Sequence, residues 1–223
     1  RESASNIVWH TEAIAKFDNE DPLISIQGRL GNSAEGATQI LIYTRDSDFL
    51  FANSTAAFEK LNLNIQGARI FTSANDYCID TYTVLESNDK PVGDNPKKIA
   101  QIKSVLTQYL SSNKVVAPIK WRKERKKKSF SQHIETALVN TEDKPYSMVE
   151  INCPDQPGIL ACVGKVFAGK QINVKDARIT TLGERVEDLF FITDHTDRPI
   201  TDQQEILDLE TELKKQLADR IAN

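Results

Sequence analysis

Hydrophobic positions along the chain follow two periods, one near 2 residues and one near 3.6, and they take turns. Residues 38–44 and 147–153 are short runs of β-branched and apolar side chains, the pattern of buried strands. After the first run, Leu50, Ser54, Ala57, Phe58 and Leu61 recur at helical spacing; after the second, Ile159, Val163, Val166 and Phe167 do so. Residues 63–73 and 77–86 predict a hairpin turning at Ala74-Asn75-Asp76. Residues 172–181 and 186–194 predict another, turning at Leu182-Gly183-Glu184, where glycine supplies a positive φ. Asn95-Pro96 sets a capping residue before a first-turn proline and opens a helix marked by Ile99, Ile102, Leu106, Tyr109 and Leu110. Thr201 with Gln204 reads as a capping box ahead of Ile206, Leu209, Leu213 and Leu217.

These two series are one pattern written twice. At an offset of 109 residues, Ile40–Asp46 falls on Val149–Asp155, Phe58 on Phe167 and Leu63-Asn64-Ile65 on Ile172-Asn173-Val174. Ala68-Arg69-Ile70 then meets Ala177-Arg178-Ile179 without a gap. One residue drops out in the next turn, and Ile79-Asp80-Thr81-Tyr82 aligns with Glu187-Asp188-Leu189-Phe190. Two homologous units of about a hundred residues follow, each strand, helix, strand, strand, helix.

A βαββαβ unit needs one more strand, yet the second copy ends in its helix at Asn223. The offset also carries Ile24-Ser25-Ile26-Gln27 onto His133-Ile134-Glu135-Thr136, so the fourth strand of each sheet is expected to precede its unit. The predicted fold is α+β: two ferredoxin-like units, each an antiparallel four-stranded sheet with two helices and the fourth strand permuted to the front. The boundaries read as residues 1–21 for the end of an upstream domain and linker, 22–113 for the first unit, 114–129 for a basic linker and 130–223 for the second unit. Residues 6–17 read as a helix tail with Ile7, Ile14 and Phe17 on one side. The units are expected to pair their sheets, within the chain or in a homodimer, because a lone four-stranded sheet leaves an edge and a face unprotected.

Composition narrows the function. Of 223 residues, 39% are hydrophobic and 27% charged, ordinary for a soluble globular protein, and no run of about 18 apolar residues offers a membrane span. The start, Arg1-Glu2-Ser3-Ala4-Ser5, has neither a methionine nor a signal-peptide core, which reads as a piece of a longer chain. Three cysteines, Cys78, Cys153 and Cys162, form no disulfide or zinc pattern, so a reducing cytoplasm is expected. The net charge of −4 is uneven: Lys114–Lys128 carries eight bases against one acid, and the remainder is strongly acidic. One basic segment on an acidic body argues for a solvated linker rather than a nucleic-acid surface, and Trp121 alone makes no stacking platform. His10, His133 and His195 stand isolated, and no catalytic or metal-binding constellation emerges.

Two stretches carry a resemblance. Cys153-Pro154-Asp155-Gln156-Pro157-Gly158-Ile159-Leu160 and Ala177 through Asp194, with its Thr180-Thr181-Leu182-Gly183-Glu184-Arg185 turn, resemble the ACT domain, a small amino-acid-sensing module. The longer stretch resembles the C-terminal ACT pair of the bacterial bifunctional enzymes that uridylylate and deuridylylate PII signalling proteins. Ile7-Val8-Trp9-His10-Thr11 resembles the join of that tail to an HD hydrolase domain. The resemblance implies a cytoplasmic nitrogen-regulation enzyme that responds to L-glutamine, with PII as partner. It also implies catalytic domains upstream that use Mg2+ and UTP, and no cofactor or catalytic residue in this chain.

The residues themselves offer a ligand site in the second unit: Asp155, Gln156, Pro157, Gly158, Ile159 and Leu160, with Asn173 and Val174 from a neighbouring strand. Gly158 lets a ligand approach the backbone, helix-start N–H groups suit an α-carboxylate, Asp155 an α-ammonium group and Asn173 an amide. Capping chemistry alone gives the same pattern, with Asp155 as N-cap and Pro157 in the first turn. Asp46, Phe49, Leu50 and Asn64 are the weaker equivalents in the first unit, where Phe49 replaces glycine and is expected to crowd the approach. That replacement also suggests that phenylalanine is tolerated at the Gly158 position. The alternatives to a glutamine-sensing tail are a ligand-free module that docks PII or dimerises the enzyme, and nucleic-acid binding through residues 120–128.

Overall fold

A computed structural model of the chain describes residues 3–18, 21–28, 36–116 and 133–222. The repeat is reproduced element by element. The first unit runs β1 (Leu23–Gly28), β2 (Thr38–Arg45), α2 (Leu50–Lys60), β3 (Leu63–Phe71), β4 (Tyr77–Glu86) and α3 (Pro96–Leu110), preceded by α1 (Ala4–Ile14). The second runs β5 (Glu135–Asn140), β6 (Ser147–Pro154), α4 (Ile159–Gly169), β7 (Asn173–Leu182), β8 (Arg185–Thr193) and α5 (Gln203–Ile221).

Both front strands take the fourth place in their sheets: β1 pairs antiparallel with β2, and β5 with β6. The hairpin strands β3 and β7 then pair with each other, giving one eight-stranded antiparallel sheet in the order β1-β2-β4-β3-β7-β8-β6-β5. At the seam Arg69 lies opposite Arg178, its own repeat equivalent, so the pairing has an internal two-fold relation. Sharing a sheet turns two free edges into a ladder, as the edge argument requires.

Helix α2 packs on α4, flanked by α3 and α5. Gly164 permits the close approach, since a Cβ there would lie 2.9 Å from the Ala52 Cα. Phe51 of α2 meets Phe190 of β8 edge-on at 5.6 Å, burying an aromatic of the first unit in the core of the second. Burying such a ring contributes about 2–3 kcal/mol.

Local starts differ in detail from the sequence pattern. Asn95 caps α3 as expected. Asp202, not Thr201, caps α5, its carboxylate accepting from the Gln204 and Glu205 amides. Helix α1 lies on the other face of the first unit's sheet, and Ile7 is exposed rather than docked. Contact is made instead by Trp9, whose indole N–H donates to Ser25, by His10 beside Thr81, and by Phe17 against Tyr43 and Tyr77. Residues 117–132, with most of the basic segment, lie outside the described residues.

Candidate functional site

On the helix-covered face of the sheet, two pockets sit along the seam, and they are copies of each other. One contains the β6–α4 loop at Asp155–Gly158, together with Asn64 and Ile65 at the start of β3. The other contains the β2–α2 loop at Asp46–Asp48, together with Asn173 and Val174 at the start of β7. Each of the fifteen residues lining the second has its repeat equivalent in the first. The pockets are therefore crossed: each joins the loop of one unit to a strand of the other.

This regroups the residues singled out in the sequence. Asp155, Gln156, Pro157, Gly158, Ile159 and Leu160 do come together, but Asn64 faces them, not Asn173 and Val174. Asn173 and Val174 line the opposite pocket with Asp46 and Leu50. Phe49 is not among the residues lining it, so it does not crowd the approach there.

The loops are held alike. The Asp155 amide donates to the Glu184 carbonyl at 2.8 Å, and the Asp46 amide donates to the Asp76 carbonyl at 2.8 Å. Each loop is thereby tied to its own hairpin turn. Asp155 is not the helix N-cap, and Pro157 precedes the helix: the cap of α4 is Gly158, at φ +82°, with no side-chain cap bond. The cap of α2 is Phe49 at φ −121°, also without a side-chain bond. Neither helix start has a side-chain cap; the first amide of each, Leu50 or Ile159, donates to the loop carbonyl of Ser47 or Gln156, and the next amides of the turn are a natural seat for a carboxylate. Because the two caps differ in backbone conformation, phenylalanine at residue 49 gives no licence for phenylalanine at 158. A β-bulge at equivalent places, between Ile65 and Gly67 and between Val174 and Asp176, bends each facing strand beside its pocket.

Charge distinguishes the two sites. Over the Gly158 loop lies Arg220 of α5, whose Nε donates to the Pro157 carbonyl at 2.8 Å and whose Nη2 donates to Glu59 Oε1 at 2.7 Å. A Cβ on Gly158 would run into the Arg220 guanidinium and Glu59 Oε1. At the other site Ala168 replaces Glu59, and Lys175, at the bulge, reaches Asp46 at 3.8 Å and Asp197 at 2.8 Å. Asp155 is half-buried, and burial raises its carboxyl above the ordinary range, opposed by the Gln156 amide.

Two functional candidates escaped the sequence reading. Asp80 on β4 and Asp188 on β8 occupy the pocket floors and are 1% and 3% exposed. Burial pushes Asp80 up to about 8, against the Phe71 amide and aided by Asp46. Burial likewise pushes Asp188 up to about 7, against the Thr180 amide and aided by Asp155. As the pockets stand, the cavities measure about 60 and 20 Å³, room for a few waters, so an amino acid enters only as loop or Arg220 moves.

Burial favours the protonated thiol at each cysteine. All three are free thiols, and burial raises Cys78 strongly, Cys153 to about 12 and Cys162 to about 11. Among the described residues no group of three or more His, Cys, Asp or Glu side chains could hold a metal, and no helix is long and apolar enough to cross a membrane.

The permuted antiparallel sheets make two ferredoxin-like units that share one sheet. Residues 147–217 match the ACT domain family, and the first unit repeats the order of elements found there. The chain is 40% identical, over 97% of its length, to the bifunctional uridylyltransferase/uridylyl-removing enzyme of Stutzerimonas stutzeri (strain A1501). It is 38% identical over 98% of its length to the enzyme of the same description from Pseudomonas savastanoi pv. phaseolicola. It spans about a quarter (24%) of each of these relatives. Among solved structures, aspartate kinase from Synechocystis aligns at 16% identity with a TM-score of 0.45, over 83% of this chain and 27% of that one.

Proposed function

We propose that this chain is the regulatory tail of a bifunctional enzyme that uridylylates and deuridylylates PII proteins, and that its two crossed pockets take L-glutamine. The observation that carries the reading is the crossed pocket itself: a loop leading into a helix start without a side-chain cap, faced by an asparagine from the other unit. In the second-unit loop the α-carboxylate sits on the first-turn amides of α4, and Asp155 at the half-buried mouth faces the α-ammonium group. Asp46 has the same role in the first. Because each pocket needs both units, filling either one tightens the seam and changes how the pair presents itself to the upstream domains, where Mg2+ and UTP serve the chemistry. This coupling requires that the tight and loose arrangements of the seam differ in affinity for glutamine.

The test is calorimetric titration of the chain with L-glutamine, on the wild type and on Asn64→Ala and Asn173→Ala. Heat that saturates at two sites, with Asn64→Ala weakening the Asp155-loop site and Asn173→Ala the Asp46-loop site, supports the reading. No heat and no thermal shift across millimolar glutamine rejects it in favour of a ligand-free docking module.

A further inference from the structure

The pocket floors pose a problem that the mouths do not. Neither carboxylate oxygen of Asp80 makes a hydrogen bond of ordinary distance and angle, the Phe71 amide lying only near it, and Asp188 Oδ2 has none among the described residues. Asp188 Oδ1 accepts from the Thr180 amide at 3.3 Å. A carboxyl this deeply buried is costly unless something pairs with it, and here it recurs at the equivalent strand position in both units. Both aspartates point inward: Asp80 stands opposite Ile42 and Asp188 opposite Ile151, core positions of their sheets. The recurrence in both copies, facing a cavity each time, marks a place kept for a ligand group.

We propose that Asp188 and Asp80 each pair with the side-chain carboxamide of the ligand through two hydrogen bonds, and so select glutamine over glutamate. The inference rests on the glutamine reading and names the groups that give it specificity. In each pair the carboxyl O–H donates to the amide oxygen, and the carboxyl C=O accepts one amide N–H. Charged groups stay at the half-buried mouth, with the helix start and Asp155 or Asp46, while the uncharged end of the ligand enters the dry floor. Glutamate would bring a second carboxylate against the carboxyl C=O, with no N–H to offer it. A site built to bond a polar group discriminates strongly against an analogue that leaves it unpaired.

The carboxyl must hold its proton to act in this way, and burial favours that. The groups around Asp188 are Asp155 of the loop, Cys153 of β6, Glu59 of α2 and Arg220 of α5. Those around Asp80 are Asp46 and Asp48 of the loop, Cys78 and Tyr82 of β4, and Lys175 of β7 across Asp46. The nearest acids raise both carboxyls further. Glutamine affinity should therefore hold at mildly acid pH and weaken through the pH 7–8 region as the floor ionises, by at most about tenfold per pH unit per site.

Asparagine at the same place retains one donor and one acceptor but cannot ionise, whereas leucine retains neither. The experiment is calorimetric titration of the whole chain with L-glutamine and L-glutamate from pH 6 to 9. It is run on wild type, on Asp80→Asn and Asp188→Asn, and on the two leucine variants, with thermal melts to confirm folding. The proposal expects glutamate to bind at least about tenfold more weakly than glutamine. It also expects asparagine variants that bind glutamine with a flat pH profile at the altered site, and leucine variants that lose that site. Glutamine binding that survives Asp80→Leu and Asp188→Leu, or that strengthens with rising pH, overturns the proposal and leaves the glutamine reading standing. A folded wild-type chain that binds no glutamine overturns both. If a leucine variant does not fold, the asparagine variant's pH profile alone decides: flat supports the proposal, and a wild-type slope overturns it.

Discussion

Arg220, in the last turn of α5, donates to Glu59 of α2 at 2.7 Å, with side chains 16% and 2% exposed. One hydrogen-bonded ion pair thus ties the end of the second unit to the first helix of the first, directly over the Gly158 loop. The glycine is explained by that pair as much as by any ligand. A side chain at residue 158 must both adopt a left-handed backbone and displace the guanidinium.

Removing Arg220 takes from the buried Glu59 the guanidinium that pairs with it at 2.7 Å. Arg220→Ala is expected to cost about 3 kcal/mol, lowering the melting temperature by roughly 6–12 °C at this chain length. Chemical unfolding and thermal melts measure it; a change below about 0.5 kcal/mol would show that the pair contributes nothing.

Gly158→Ala should couple to that loss. The positive φ costs about 1–2 kcal/mol wherever alanine is placed in it, and the collision with Arg220 adds to this only when Arg220 is present. In an Arg220→Ala background the glycine substitution should therefore cost less. Strict additivity in the double-mutant cycle would mean that the two residues do not meet.

Stability should fall as pH rises between about 4 and 8. Asp80 and Asp188 have folded-state pKa values raised well above the unfolded value of 3.8, so the folded chain holds more protons across that window. The protonated groups carry no penalty below about pH 4; the penalty accumulates up to the folded values and levels off above them. Asp194 and Asp197 work in the other direction. Hydrogen bonds from Thr196 and Lys175 hold them low, so their contribution is lost only below about pH 4. Urea unfolding across pH 4–9 should show the decline, and Asp80→Asn with Asp188→Asn should flatten it. An undiminished slope in the double variant would place the titrating groups elsewhere.

The seam between units can be tested at Gly164. Leucine there drives a side chain into Ala52 and Thr55, and overpacking of this kind costs about 1–3 kcal/mol. Since both pockets span the seam, Gly164→Leu should weaken ligand binding at both sites together. Gly164 lines the Asp46-loop pocket, where leucine also fills space directly, so the deciding site is the Asp155-loop pocket: unchanged binding there would mean that the pockets do not share the α2–α4 contact.

Much of this was legible in the residues. The repeat called for a front strand in each unit, which is why the permuted strand order could be anticipated, but the 109-residue offset is three residues out there: Ile24 pairs with Ile42, and the residue paired with the equivalent Ile151 is Thr136, not His133. The loop Asp155–Gly158 was visible because proline, glycine and aspartate stand together before a helical stripe. The crossing of the pockets was hidden, since a repeat aligns Asn64 with Asn173 but does not say which loop each one meets. Arg220 lies 63 residues from Pro157 and 161 from Glu59, and no local pattern links them. Asp80 and Asp188 did leave a signal. In Cys78-Asp80-Tyr82-Val84 and Val186-Asp188-Phe190-Ile192 every second residue faces the core, and an acid breaks the apolar alternation at the same step in both copies. Read as a strand pattern alone it passes for an irregularity; read against the repeat it marks equivalent residues of the two pockets.

A crystal structure of the chain grown with L-glutamine tests the crossed-pocket account most directly. The account predicts ligand density in both pockets, the α-carboxylate on the start of α4 or α2, and the carboxamide against Asp188 or Asp80. Asn64 should face the ligand held by the Asp155 loop, and Asn173 the ligand held by the Asp46 loop. Glutamine bound elsewhere, for example in the cleft between α1 and the sheet lined by Arg69 and Arg178, with both seam pockets still closed, would contradict it.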